Sequence, residues 1–228
     1  MILSMKSLIT CLLFLALTLP ALAIERAELD YRIGKLMLRF QEMQLKPDNR
    51  VPAETLRNAQ GIILLDRTKA GLVFAFQGGS GVAMARDPKS GQWSPPAFFK
   101  ASEASFGVQI GGQHSFVVIL LMNTNTTTSL LTEPTFEFGG EASGTAGNSS
   151  TGVASAVASV EQLVLIYSDS SGLYGGAAIK VGSLAPDTDA NVAYYGQFLS
   201  TKEILFDRKV KPSEAAAGLA KKLDDYSH

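Results

Sequence analysis

The sequence predicts an α+β fold: a strongly curved antiparallel β-sheet, sandwich- or barrel-like, flanked by an N-terminal amphipathic helix and by C-terminal helices. Three observations carry this. Apolar residues at helical spacing occupy both ends of the chain. Period-two and continuous apolar runs occupy the middle. Glycine pairs (Gly78–Gly79, Gly111–Gly112, Gly139–Gly140 and Gly175–Gly176) stand beside those runs. Glycine inside a strand marks a bend, a bulge or a close backbone approach.

The first residues read as an export signal. Lys6 precedes the apolar run "LITCLLFLALTLP" (8–20), and "ALA" (21–23) follows Pro20 as a cleavage site. Residues 1–23 are therefore expected to be removed. Cys11, the single cysteine, lies ahead of most of the apolar run, whereas a lipid-anchored precursor carries its cysteine at the end. Cleavage at Ala23 would leave no disulfide and no thiolate chemistry. An exported chain of this kind is expected in the periplasm or outside the cell, with the outer membrane as a surface it could meet.

Residues 24–50 form the next unit. In "ERAELDYRIGKLMLRFQEMQLK" (25–46), Leu29, Ile33, Leu36, Phe40 and Met43 recur at spacings of three and four. Arg32, Lys35, Arg39 and Lys46 share a face bordering that stripe. Two readings stand side by side. One is a solvated structural helix, with Glu25 and Glu28 suiting the dipole and Glu28 pairing Arg32. The other is a basic amphipathic helix lying on an anionic surface, with Arg32, Lys35, Arg39, Phe40 and Lys46 as lipid- or membrane-binding residues.

Residues 51–228 hold the remainder of the fold. A short helix is predicted after Pro52. Strands are predicted at 61–66, 71–77, 81–86, 105–112, 116–123, 135–140, 162–169 and 173–181, with "DPKSGQW" (87–93) as a hairpin turn. The segment 141–159 is rich in small residues and fits either a loop or a tightly packed run. Ser200 and Glu203 have capping-box spacing at the start of a helix over 200–207. A last helix is predicted over 211–227, with Ala216, Leu219, Ala220 and Leu223 as its apolar stripe.

Composition and motifs argue against several chemistries. Twenty Lys+Arg against 21 Asp+Glu create no global field for nucleic acid. His114 and the terminal His228 are the only histidines, and no GxSxG elbow exists to host a catalytic serine. "GGSG" (78–81) precedes an apolar alternation rather than a helix, so it does not read as a phosphate loop. "DTDAN" (187–191) begins like a calcium loop, but Val192 and Phe198 stand where Gly and Glu are needed. A turn explains Asp187 and Asp189 better than an acidic catalytic pair. No catalytic residue, metal site or cofactor is expected. Between residues 101 and 201, eight carboxylates face Lys180 alone, so an anionic partner should meet the two ends of the chain.

The order of the middle motifs resembles the SYLF domain family. These are "AQGIILL" (59–65), "KAGLVFAFQGGSGVAMAR" (69–86), "GQWSPPAFF" (91–99), "FGVQIGGQ" (106–113), "FEFGGEASGTAG" (136–147), "YSDSSGLYGGAAIKVGSL" (167–184) and "NVAYYGQ" (191–197). The resemblance implies a non-enzymatic module. Eukaryotic relatives bind phosphoinositide-rich membranes and some bind actin; bacterial relatives are exported and regarded as lipid-binding. Family members often carry a "GPxGR"-like element, where this chain reads "AGNSSTG" (146–152), without the proline and the arginine. The resulting expectation is a lipid- or membrane-binding protein of the bacterial cell envelope, with anionic phospholipid as partner and no nucleic acid. The alternative is a structural or protein-interaction module of the envelope; Trp93, Tyr194 and Tyr195 could be its exposed anchors, although a place in the core is the expected fate of each. Actin binding would be a property inherited by similarity.

Overall fold

A computed structural model describes residues 25–71, 74–106, 111–138, 164–171 and 182–228. The leader (1–23), the small-residue segment 141–159 with its "AGNSSTG" stretch, and the strand expected at 173–181 lie outside the described residues.

The chain begins with helix α1 (Arg26–Gln44), followed by α2 (Ala53–Asn58). Four long strands come next: β1 (Gly61–Gly71), β2 (Phe74–Ala85), β3 (Ala97–Phe106) and β4 (Gly111–Leu121). Helix α3 (Thr124–Thr132) leads to β5 (Phe136–Phe138), β6 (Val164–Ser171) and β7 (Gly182–Pro186). Helices α4 (Thr188–Tyr195), α5 (Thr201–Leu205) and α6 (Glu214–Asp225) close the fold.

The described strands form one antiparallel sheet in the order β5-β7-β3-β2-β1-β4-β6. It is open, ending on β5 and β6, so the sandwich- or barrel-like closure expected from sequence is corrected. The physical reason lies in the sheet's two faces. Ile62 and Leu64 of β1 point into one core with Val82, Phe98, Phe116 and Val118. Ile63 and Leu65 point into a second core with Ala83, Phe99, Val117 and Ile119. Helices α1, α2, α4 and α6 cover the first face, and α3 and α5 cover the second. Burial on both faces produces continuous apolar runs, and here helices rather than a second sheet supply the cover.

Gly79 and Gly81 of β2 act by close approach, whereas the pairs Gly139–Gly140 and Gly175–Gly176 lie outside the described residues. Pairing of β1 with β2 and of β2 with β3 runs without a break through Gly78 and Gly79, so no bulge forms there. The two strands expected at 71–77 and 81–86 are therefore one. A side chain on Gly81 would meet the Leu64 carbonyl oxygen at 2.0 Å, so only glycine fits. The "DPKSGQ" hairpin forms as expected: Asp87 accepts from the Lys89 and Ser90 backbone N–H groups, and Gly91 takes positive φ.

Candidate functional site

Helix α1 lies across the first face of the sheet. Its predicted stripe of Leu29, Ile33, Leu36, Phe40 and Met43 is buried throughout. The stripe shares one core with the first face of the sheet and with α6, so α1 builds one hydrophobic unit with them. Phe40 is 0% exposed and meets the Tyr226 ring edge-on at 5.7 Å. In this arrangement Phe40 belongs to the core and not to an outward face.

Two lysines orient α1 on the sheet. Lys35 Nζ lies 2.7 Å from Asp66. Lys46 Nζ donates to both carboxylate oxygens of Asp169, at 2.9 and 2.7 Å. Asp66 and Asp169 both stand opposite Phe116, so they occupy one cross-strand row on the face beneath α1. Arg32 and Arg39 pair more loosely within the helix, with Glu28 at 3.4 Å and Glu42 at 3.5 Å.

The outer face of α1 carries a second apolar stripe. Tyr31, Leu38 and Leu45 are 67%, 57% and 79% exposed. Their seven-residue spacing aligns them on one side of the helix, drifting only ~20° per heptad. They span about 21 Å at the usual helical rise. On one flank stand Lys35, Arg39, Lys46 and Arg32, interleaved with Glu28 and Glu42; on the other stand Gly34 and Gln41. The signal was present in the sequence, but only the buried stripe shows which side faces outward.

A cleft of about 340 Å³ opens between α1 and the sheet, directly beside this stripe. Tyr31, Arg32 and Lys35 form its helical wall, and Asp66 and Ser80 line it from the sheet. Phe98 contributes apolar surface, while Glu28 and Asp187 add carboxylates. Of the five predicted binding residues, the structure brings Arg32 and Lys35 to this cleft. Arg39 lies elsewhere along α1, Lys46 lies just beyond its C-terminal end, and Phe40 lies beneath it.

The other sequence candidates find structural places. Asp187 accepts from the Ala190 N–H as the N-cap of α4, so "DTDAN" starts a helix where a turn was expected. His114 Nδ1 lies 3.2 Å from the hydroxyl of its cross-strand neighbour Thr68. Trp93 and Tyr194 are buried, the core placement expected of them, and so do not serve as exposed anchors. Tyr195 is partly buried and donates to the Pro96 carbonyl. The Tyr194 hydroxyl donates to Asp30 at 2.8 Å and also meets Ser213. Burial pushes the Tyr194 phenol up to about 12. Among the described residues, no group of three or more His, Cys, Asp or Glu could hold a metal ion. No described helix is long and apolar enough to cross a membrane.

Residues 102–226 match the family model described as "Las17-binding protein actin regulator" (Ysc84). The chain belongs to this SYLF/Ysc84 family. It is 31% identical over 180 residues to "LAS seventeen-binding protein 3" of Saccharomyces cerevisiae, covering 78% of this chain and 39% of that protein. It is 32% identical over 170 residues to "Protein YSC84" of the same species, covering 73% and 36%. It is 31% identical over 190 residues to "SH3 domain-containing YSC84-like protein 1" of Xenopus laevis, covering 81% and 56%. The chain thus spans well under two thirds of each relative. No solved structure matches it. The Ysc84 match begins within β3, so α1 and its outer stripe precede it.

Proposed function

We propose that this Ysc84-family chain is a non-enzymatic lipid- or membrane-binding protein of the bacterial cell envelope, exported by its N-terminal leader. One observation carries the reading: Tyr31, Leu38 and Leu45 are exposed in a line on the outer side of α1, with four cations, two of them paired to Glu28 and Glu42, along one flank. A helix with this arrangement can rest in a membrane interface, apolar side chains inserted and cationic side chains reaching phosphates. The Arg32–Glu28 and Arg39–Glu42 pairs are solvent-exposed on at least one side. Such pairs contribute only about 0–1 kcal/mol, so both arginines can turn to a lipid phosphate.

The test is co-sedimentation of the purified protein with vesicles of phosphatidylcholine, with and without phosphatidylglycerol. Binding should rise with the anionic lipid and fall in the double variant Leu38→Ser, Leu45→Ser. No binding at any composition would overturn the reading, and unchanged binding by the variant would place the surface elsewhere.

A second reading comes from the family description, which names Las17 binding and actin regulation. On that reading the chain is a protein-interaction module. Cross-linking in intact cells separates the two, because recovery of one protein partner without lipid favours the module.

A further inference from the structure

We infer that the cleft beneath Tyr31 binds a zwitterionic phosphoethanolamine group, with its phosphate on Arg32 and its ammonium on Asp187. This rests on the membrane reading of α1 and names the headgroup chemistry that would accompany it.

The charges around the cleft lead to this ligand. Its lining has three carboxylates, Glu28, Asp66 and Asp187, against two cations, Arg32 and Lys35. Lys35 is already held by Asp66 at 2.7 Å. Arg32 meets Glu28 through Nε alone, at 3.4 Å, which leaves its two terminal nitrogens as a fork suited to phosphate. Asp187 has no cationic partner among the described residues. Its Oδ1 caps α4 at 3.3 Å from the Ala190 nitrogen, and its second oxygen is left for a further donor.

A bare anion would therefore meet a wall with an excess of carboxylate. A bare cation would leave the guanidinium fork unmatched. A group carrying both charges satisfies both residues. Small-molecule clefts hold about 300–1,000 Å³, so about 340 Å³ gives room for a headgroup. Phe98 offers apolar surface for the two-carbon link, and Ser80 offers a hydroxyl. Tyr31 belongs both to the cleft and to the outer stripe, so chains leaving the cleft would enter the layer in which the stripe rests.

The same chemistry could arrive on a lipid or as a soluble phosphoamine, and two measurements distinguish them. Calorimetric titration of the full protein with O-phosphoethanolamine should show saturable binding, at least about tenfold tighter than inorganic phosphate or ethanolamine alone. Asp187→Asn and Arg32→Gln should each weaken it about tenfold. Asparagine caps helices as well as aspartate, so Asp187→Asn removes the charge while keeping α4, which circular dichroism would verify. Vesicles containing phosphatidylethanolamine should bind better than phosphatidylcholine alone, and Asp187→Asn should erase that difference.

Phosphate binding as tightly as phosphoethanolamine, or unchanged binding by Asp187→Asn, would overturn the inference. Vesicle binding indifferent to phosphatidylethanolamine, with no titratable phosphoethanolamine site, would overturn it while leaving the membrane reading intact. Phosphoethanolamine binding without any vesicle binding would support the cleft, with a soluble ligand, and overturn the membrane reading.

Discussion

Leu36 and Leu38 are two residues apart on α1 and meet opposite environments. Leu36 is buried against the sheet, while Leu38 points outward with Tyr31 and Leu45. Both stripes consist of large apolar side chains at regular helical intervals. The inner stripe is matched by Leu64, Val82 and Phe116 of the sheet, and Asp66 and Asp169 hold Lys35 and Lys46 beside it. The outer stripe has no such counterpart among the described residues. The comparison teaches that amphipathicity alone does not identify a binding face. The strongest apolar stripe of a helix builds the core, and a weaker second stripe is the one available to a partner.

The largest effect should come from the inner face. Phe40→Ala removes a fully buried ring and should cost about 3–5 kcal/mol in urea denaturation, with the usual cavity penalty included. A loss near zero would mean that α1 is not held on the sheet in solution.

A smaller effect is expected at the edge of that face, where Tyr194 ties α4 to Asp30 of α1. Tyr194→Phe removes a hydrogen bond to a carboxylate and should cost about 1.5–3 kcal/mol. It should also change alkaline behaviour. The folded-state pKa of Tyr194 is raised from 10.0 to about 12, so its stabilising contribution is complete below pH 10.0 and lost as pH rises towards 12. Urea midpoints measured across that window should fall more steeply for the native protein than for the variant. Equal slopes would remove Tyr194 as the cause.

The smallest stability effect belongs to the outer face. The double variant Leu38→Ser, Leu45→Ser should stay within about 0.5 kcal/mol of the native protein, as exposed substitutions usually do. Its vesicle binding should nevertheless fall. Marked destabilisation would show that the outer stripe is covered in solution and would erase the contrast between the faces.

Much of the fold was legible because its signals are local. The helix expected over 25–46 spans Arg26–Gln44, and the Ser200–Glu203 capping box is present at α5. Two helices escaped notice. Helix α3 has the sequence "TNTTTSLLT", poor in strong helix formers, and relies on Asn123 accepting from the backbone N–H groups of Asn125 and Thr126. Helix α4 is capped by Asp187 before it and by left-handed Gly196 after it, residue types that suit a turn as well as a short helix. The candidate site was only half legible. Arg32 and Lys35 stand out on their helix, but Asp66, Ser80 and Asp187 join them from distant parts of the chain.

The sequence by itself determined that α1 forms, which of its residues can share a face, and that apolar strands fill the middle of the chain. Periodicity and apolar content are properties of a short segment and need no partner to be read. Only the tertiary structure decided that the sheet stays open beneath helices, that Phe40 belongs to the core, and that Tyr31, Leu38 and Leu45 face outward. Those outcomes depend on side chains far away in sequence. Asp66 and Asp169 form a row only after β1, β4 and β6 pair in register, and that row is where Lys35 and Lys46 hold the helix.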